Sequence, residues 1–137
     1  MPSKPKWIRL DVVLAVHEAV LDEHGGSLGV RDAASLESAL APPQHADAYA
    51  ERPLDVPRLA AIYALAISRD HPFLDGNKRV ALAVLESFLE LNGYMLSAGD
   101  VECVRVIWAL AAGELTDDEF IGWVGKMAVP KTRRRKK

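Results

Sequence analysis

Nine consecutive residues, His71 to Arg79, interrupt a long apolar stretch with side chains that could do chemistry. His71 can exchange a proton near neutral pH. Asp75 supplies a carboxylate of the kind that holds Mg²⁺ beside phosphate oxygens. Lys78 and Arg79 follow as two adjacent cations. A base, a metal ligand and two cations so close together predict chemistry on a phosphate-containing substrate.

This segment also predicts a loop that leads into a helix. Asp75-Gly76 is a turn signal, and apolar residues recur every three or four positions from Asn77 to Asn92. Gly93 is the expected C-cap. The first turn of such a helix offers unpaired N–H groups and the positive end of its dipole to an anion. Cations are unfavourable there, so the two adjacent basic residues predict a bound anion that offsets this cost.

Each of these residues also has an ordinary structural interpretation. His71 precedes a proline and could be a simple loop residue, Asp75 is a common turn former, and Lys78 and Arg79 could be a solvated first turn. Taken together, their order and spacing favour a functional site.

The order and spacing resemble the motif of the Fic/Doc family, which runs His-x-Phe-x-acid-Gly-Asn, a basic or glycine position, and Arg. The Asn77-Lys78-Arg79 variant resembles the Doc (death on curing) toxin branch. The AMP-transferring branch has Gly where Lys78 stands and a second Arg where Leu82 stands. The resemblance covers about residues 7–127 and includes a second run at 29–40. There, Arg31 and Glu37 are either site residues or an ion pair that supports the loop.

The resemblance implies ATP and Mg²⁺ as cofactors, and it implies a role for each motif residue. His71 removes the proton from an attacking hydroxyl, and Asp75 holds Mg²⁺. The residues that bind the phosphates are Gly76, Asn77, Lys78 and Arg79.

The implied function is that of the toxin of a toxin–antitoxin pair, a kinase that phosphorylates a Thr of translation elongation factor Tu and so arrests translation. Lys78 fills space that phosphates could enter beside a glycine, and Leu82 offers no charge, so we expect a reversed nucleotide with its γ-phosphate at His71. An AMP-transferring enzyme is the alternative. An inactive binding or regulatory module is an alternative of another class.

Control by a separate protein is expected. Fic relatives that inhibit themselves carry Ser or Thr, three residues, Glu, and then Gly or Asn. Thr116 to Glu119 and Ser35 to Glu37 have the wrong spacing for this motif. The resemblance therefore implies a cognate antitoxin that folds a disordered segment onto the toxin.

Composition predicts one domain over residues 1–130 and a basic, disordered tail over 131–137. The tail holds six of the 17 Lys and Arg residues, so without it the net charge falls from -2 to -8. Such an acidic body makes nucleic-acid binding unlikely. No apolar run is long enough to cross a membrane, and Cys103 has no partner for a disulfide. A cytoplasmic protein is expected.

Hydrophobic periodicity predicts an all-α, compact helical bundle of the Fic/Doc type. A first helix capped by Asp11 places His17 at least partly inward, where a core histidine needs a hydrogen-bond partner. Residues 44–57 read as a loop, with a short β-hairpin flap as an option. The other predicted helices run over residues 32–40, 57–70, 77–92, 100–112 and 116–127.

Overall fold

The computed structural model describes residues 4–27, 29–31 and 33–131. Asp32, the predicted start of the second helix, and residues 132–137 of the predicted tail lie outside this part of the chain. The described residues form seven helices and two short strands. In chain order these are α1 Leu10–His24, α2 Ala33–Leu40, α3 Pro42–Tyr49, α4 Val56–Asp70, α5 Asn77–Leu91, β1 Tyr94–Leu96, α6 Asp100–Ala111, α7 Asp117–Met127 and β2 Ala128–Pro130.

Helices α4 and α5 form the centre of the bundle and pack closely on each other. The motif helix is buried at the centre of the bundle, since Val84 and Phe88 of α5 are fully buried. Tyr63 and Ile67 of α4 are also fully buried, and the Tyr63 ring lies 4.9 Å from the Phe88 ring. The predicted all-α fold is correct, and the loop between α4 and α5 therefore projects from the best-packed part of the molecule.

The helix termini follow the local sequence in two places and depart from it in a third. The Asp55 carboxylate accepts a hydrogen bond from the Arg58 N–H at the start of α4. Thr116 and Glu119 form a capping box at the start of α7. Asp11 does not cap α1: the N-cap is Arg9, and the Asp11 carboxylate pairs with the Arg9 guanidinium.

The loop predicted over residues 44–57 is helical in its first part, because α3 spans Pro42–Tyr49. Pro42 and Pro43 start this helix as well as ending α2, since proline is well accepted in the first helical turn. A two-stranded antiparallel sheet does exist, but it pairs Tyr94 with Pro130 and not residues of this segment.

Lys131 is the one described residue of the predicted basic tail. Its N–H donates to the Gly93 carbonyl at 2.8 Å and its Nζ lies 3.4 Å from Glu90. The division into a domain and a disordered tail stays a prediction. Within the described ranges, no helix has both the length and the apolar character needed to cross a bilayer.

Candidate active site

His71 ends α4 in a left-handed backbone conformation, with φ of 48° and ψ of 58°. Among the described residues it is the only non-glycine with a positive φ. Its N–H donates to the Ile67 carbonyl, and its side chain is exposed next to the buried Pro72. Non-glycine residues held in this conformation occur often at functional sites, so the geometry supports a functional role for His71.

The Arg31 side chain holds the backbone on which His71 stands. Its Nε donates to the His71 carbonyl at 2.8 Å, and one terminal nitrogen donates to the Asp70 carbonyl at 2.6 Å. The same nitrogen donates to the Ser35 hydroxyl at 3.3 Å. The suggested Arg31–Glu37 ion pair is absent from the described part of the chain. Arg31 supports the loop by donating hydrogen bonds to backbone carbonyls. Carbonyls at the C-terminal end of a helix have no donor within the helix, so they need one from elsewhere.

The segment 29–31 adds a strand-like contact to the motif loop. The Arg31 N–H donates to the Pro72 carbonyl at 2.7 Å, the Leu74 N–H donates to the Gly29 carbonyl at 3.1 Å, and Val30 forms an antiparallel bridge with Phe73. The two stretches that share a family resemblance in the sequence are thus in direct contact.

His17 of α1 supports the same loop from beneath. Its ring is buried, with 2% exposure, and it stacks on the Phe73 ring at a centroid distance of 3.9 Å. Its Nε2 lies 3.1 Å from the Asp75 carbonyl oxygen, and because a carbonyl only accepts, this nitrogen carries the proton. The predicted core histidine is confirmed. Its contact with the motif loop was not predicted. The sequence indicated only that a buried histidine needs a hydrogen-bond partner.

Asn77 closes the loop on itself. Its Oδ1 accepts a hydrogen bond from the Phe73 N–H at 3.0 Å, and its Nδ2 donates to the Phe73 carbonyl at 2.9 Å. Gly76 precedes it with φ of 76°, a conformation that a glycine adopts without strain. A Cβ at Gly76 would also lie 3.4 Å from the Leu21 side chain. These two residues fix the shape of the turn that leads into α5.

Asp75 presents an exposed carboxylate at the tip of the loop, and one of its oxygens accepts a hydrogen bond from the Ser27 N–H at 3.2 Å. No three His, Cys, Asp or Glu side chains cluster as metal ligands in the described ranges. Mg²⁺ in nucleotide enzymes is held by one or two carboxylates together with substrate phosphates. A single accessible carboxylate next to the N-terminus of α5 fits that pattern.

Lys78 and Arg79 lie in the first turn of α5, and both approach Trp108 of α6. The Lys78 Nζ is 5.2 Å and the Arg79 Cζ 5.4 Å from the centroid of the ring. An Arg79 nitrogen also lies 3.1 Å from the His24 Nδ1. These neighbours stabilise both cations near the positive end of the helix. The unfavourable placement that the sequence indicated therefore does not by itself require a bound anion.

The motif has a cavity at each end. His71 lines one of about 350 Å³ together with residues of α4, α7 and the end of α6, among them Arg69, Asp117 and Leu110. Arg79 lines another of about 340 Å³ that α1, α5 and α6 enclose. The predicted base, His71, and one predicted phosphate-binding cation, Arg79, therefore each have adjacent space for a substrate group.

The chain is similar to known proteins that carry related names. The family model described as the Fic/DOC family matches residues 7–89. The protein named Toxin Doc from Mycolicibacterium smegmatis is 42% identical over 81 residues, which cover 54% of this chain and 57% of that protein. The protein named Protein kinase doc from Escherichia phage P1 is 31% identical over 130 residues, or 95% of this chain and 94% of that one. The chain thus spans little more than half of the first relative and nearly all of the second.

Proposed function

We propose, from the premise that this chain belongs to the Fic/DOC family, that it is the toxin of a toxin–antitoxin pair and an ATP-dependent protein kinase of the cytoplasm. The target proposed from the family resemblance is a Thr of translation elongation factor Tu. Both relatives carry Doc names, one as a toxin and one as a protein kinase.

One observation above all carries the proposal: an exposed histidine stands on a backbone that its neighbours hold rigidly. Arg31 binds the His71 carbonyl, and the Asn77 side chain binds both backbone polar groups of Phe73. Catalysis of phosphoryl transfer consists mostly of positioning and of charge stabilisation, so a small set of fixed groups is sufficient.

In the proposed reaction the target hydroxyl oxygen attacks the γ-phosphorus of ATP. Its proton passes to His71, the bond from the γ-phosphorus to the β,γ-bridging oxygen breaks, and ADP leaves with those bond electrons. Lys78 and Arg79 neutralise charge on the phosphates. Gly76 and Asn77 keep the first-turn N–H groups of α5 directed at the same anion.

Mg²⁺ fits the Asp75 carboxylate, as the donor set described above allows. When bound, the ion supplies positive charge that offsets the charge of the phosphate oxygens. The protein contribution is to keep Asp75 at the loop tip, through the Ser27 N–H on its side chain and the His17 ring on its carbonyl.

Two residues of α5 favour phosphate transfer over AMP transfer. Lys78 stands where the AMP-transferring branch has glycine, and Leu82 offers no charge where that branch has a second arginine. Phosphates that reach this end of the helix would find one cationic turn and no second arginine beyond it. We therefore place the γ-phosphate at His71, and the other phosphates and the nucleoside farther from His71.

Mass spectrometry of purified elongation factor Tu, incubated with the protein, ATP and Mg²⁺, tests the kinase proposal. A phosphate adduct on a Thr is the expected product, and the His71→Ala protein serves as the matched blank. An AMP adduct would replace the kinase by an AMP transferase. If no adduct forms, elongation factor Tu is not the substrate.

The toxin proposal has a separate test in the native host. The chain expressed alone should arrest growth, because residues 1–137 do not contain the self-inhibitory motif of Fic relatives. Co-expression of the small protein encoded next to it should restore growth and form a stable complex. Harmless expression of folded wild-type protein, with no neighbour present, contradicts the toxin proposal.

A further inference from the structure

The cavity at Arg79 starts beside the first turn of α5 and continues along that helix. Leu82, Ala83 and Glu86 line it on the α5 side, at successive turns from Arg79. From Asn77 to Glu86 the helix axis rises about 13 Å, a length comparable with that of an extended nucleoside triphosphate. A nucleotide with its phosphates at the loop could therefore extend into this cavity.

Charge is distributed unevenly along the cavity. Cations lie at the α5 N-terminal end, where Glu23 is 3.6 Å from His24 beside Arg79, whereas the carboxylates of Glu86 and Asp100 lie farther along the wall. Partial burial, and next the nearby Asp100 carboxylate, raise the pKa of Glu86. A second phosphate group would be repelled at this wall. A group that donates hydrogen bonds, such as the amino group of a base, would be attracted.

Trp108 supplies an aromatic surface on the same cavity. The side chain is 38% exposed, although it belongs to a helix of the bundle, and two cations lie near its ring. Base stacking on an aromatic side chain is stronger than the attraction of an exposed cation to that ring. A base can therefore displace the cations from Trp108, and the phosphates of the same ligand provide them with a stronger partner.

We infer that the cavity between α1, α5 and α6 receives the base of the nucleotide, stacked on Trp108, while Lys78 and Arg79 turn from this ring to the phosphates. The inference rests on the proposed use of ATP. It adds a recognition site for the base, and it predicts that bases with an amino group bind best because carboxylates line the wall.

Calorimetric titration of the whole chain with two ligands, in the presence of Mg²⁺, separates the base from the phosphates. The ligands are ATP and inorganic tripolyphosphate, which has the phosphates and no base. Trp108→Ala should weaken ATP binding by about 5-fold to 100-fold and leave tripolyphosphate binding unchanged or tighter. Trp108→Phe keeps a stacking surface and should recover most of the ATP affinity.

Tyr49→Ala is the matched control, because Tyr49 is an aromatic residue of α3 that is 88% exposed and lies outside this cavity. Its ATP affinity should equal that of the wild type. ITP, which has an oxo group where ATP has its amino group, should bind more weakly than ATP to the wild type. Glu86→Ala should reduce that preference.

The possible results are distinguishable. Unchanged ATP affinity in a folded Trp108→Ala protein would overturn the base site and leave the kinase proposal intact. Equal weakening of ATP and tripolyphosphate would also overturn it, because Trp108 would then act only through the two cations. A wild-type protein that binds neither ligand contradicts the proposed function itself, and the base site with it.

Discussion

The two halves of the motif are held in different ways. From His71 to Asn77 the chain is fixed by hydrogen bonds to its backbone, which come from Arg31, His17 and the Asn77 side chain. At Lys78 and Arg79 the side chains contact an aromatic face and a histidine nitrogen, and within the described ranges neither forms an ion pair. The first half is built into the fold, and the second half can exchange partners.

This difference assigns different tasks to the two halves. A proton acceptor must be in place before the reaction starts, since small displacements of reacting groups are costly. Cations that neutralise phosphates can move onto their ligand when it arrives. Changes in the fixed half should therefore affect rate and, for supporting residues, stability, whereas changes in the exchangeable half should mainly affect nucleotide binding.

His71→Ala should have the largest effect. Loss of a general base lowers the transfer rate by about 10²-fold to 10⁴-fold, whereas the exposed ring contributes little to packing. The measurements are the transfer rate and the urea midpoint of unfolding. A folded His71→Ala protein that still arrests growth at the wild-type level would remove the base from the mechanism.

Asn77→Ala should damage both rate and stability, because it leaves the buried N–H and carbonyl of Phe73 without partners. The expected loss of unfolding free energy is about 1–3 kcal/mol. Asn92→Ala is the matched control at the other end of α5, where Asn92 binds Lys6 and Phe88. It should destabilise the protein and spare the transfer rate of the folded molecules. Equal rates for both variants would show that Asn77 is only structural.

Lys78→Gly should weaken nucleotide binding about tenfold, since one charge-assisted phosphate contact is lost. Glycine also costs helix stability, so Lys78→Ala separates the two causes. Both variants should lose affinity to the same extent, and only the glycine variant should lose stability. Wild-type affinity in Lys78→Ala would remove Lys78 from the phosphate site.

The smallest effect is expected at the rim of the His71 cavity, where Arg69 of α4 pairs with Asp117 of α7. The Arg69 hydrogen bond holds the pKa of Asp117 below its usual value. The pair therefore stabilises the fold at neutral pH and loses this contribution as the pH falls below about 4. Asp117→Asn should cost less than about 1 kcal/mol at pH 7, and it should cost less at about pH 3, where protonation of the carboxylate weakens the pair. Urea unfolding at both pH values checks this, and an equal cost at both would contradict the ion pair.

The sequence predicted those features that local patterns determine. Apolar spacing identified the motif helix, and the helices predicted over residues 57–70 and 116–127 match α4 and α7 closely. The contacts of the motif loop depend on residues far away in the chain, such as His17, which lies 58 positions before Asp75. A single sequence does not show which buried group such a histidine will meet.

The local pattern at Lys78 and Arg79 was incomplete. Their position at a helix N-terminus predicted a bound anion, and this stays a prediction. The Trp108 ring also stabilises both cations, but it lies on another helix and so outside the local pattern. The prediction of a loop over residues 44–57 was wrong in its first part, because α3 spans Pro42–Tyr49. The irregular apolar spacing of this segment, with Pro53 and Pro57, indicated a loop, whereas Pro42 and Pro43 begin a helix.

Transfer of labelled phosphate from ATP tests directly whether His71 acts on the γ-phosphate. Wild-type protein and target are incubated with ATP that carries the label on either the γ-phosphate or the α-phosphate. We expect label in the target from γ-labelled ATP only, and none from either nucleotide with His71→Ala. Label from α-labelled ATP would show that AMP is transferred and would contradict the proposed orientation of the nucleotide.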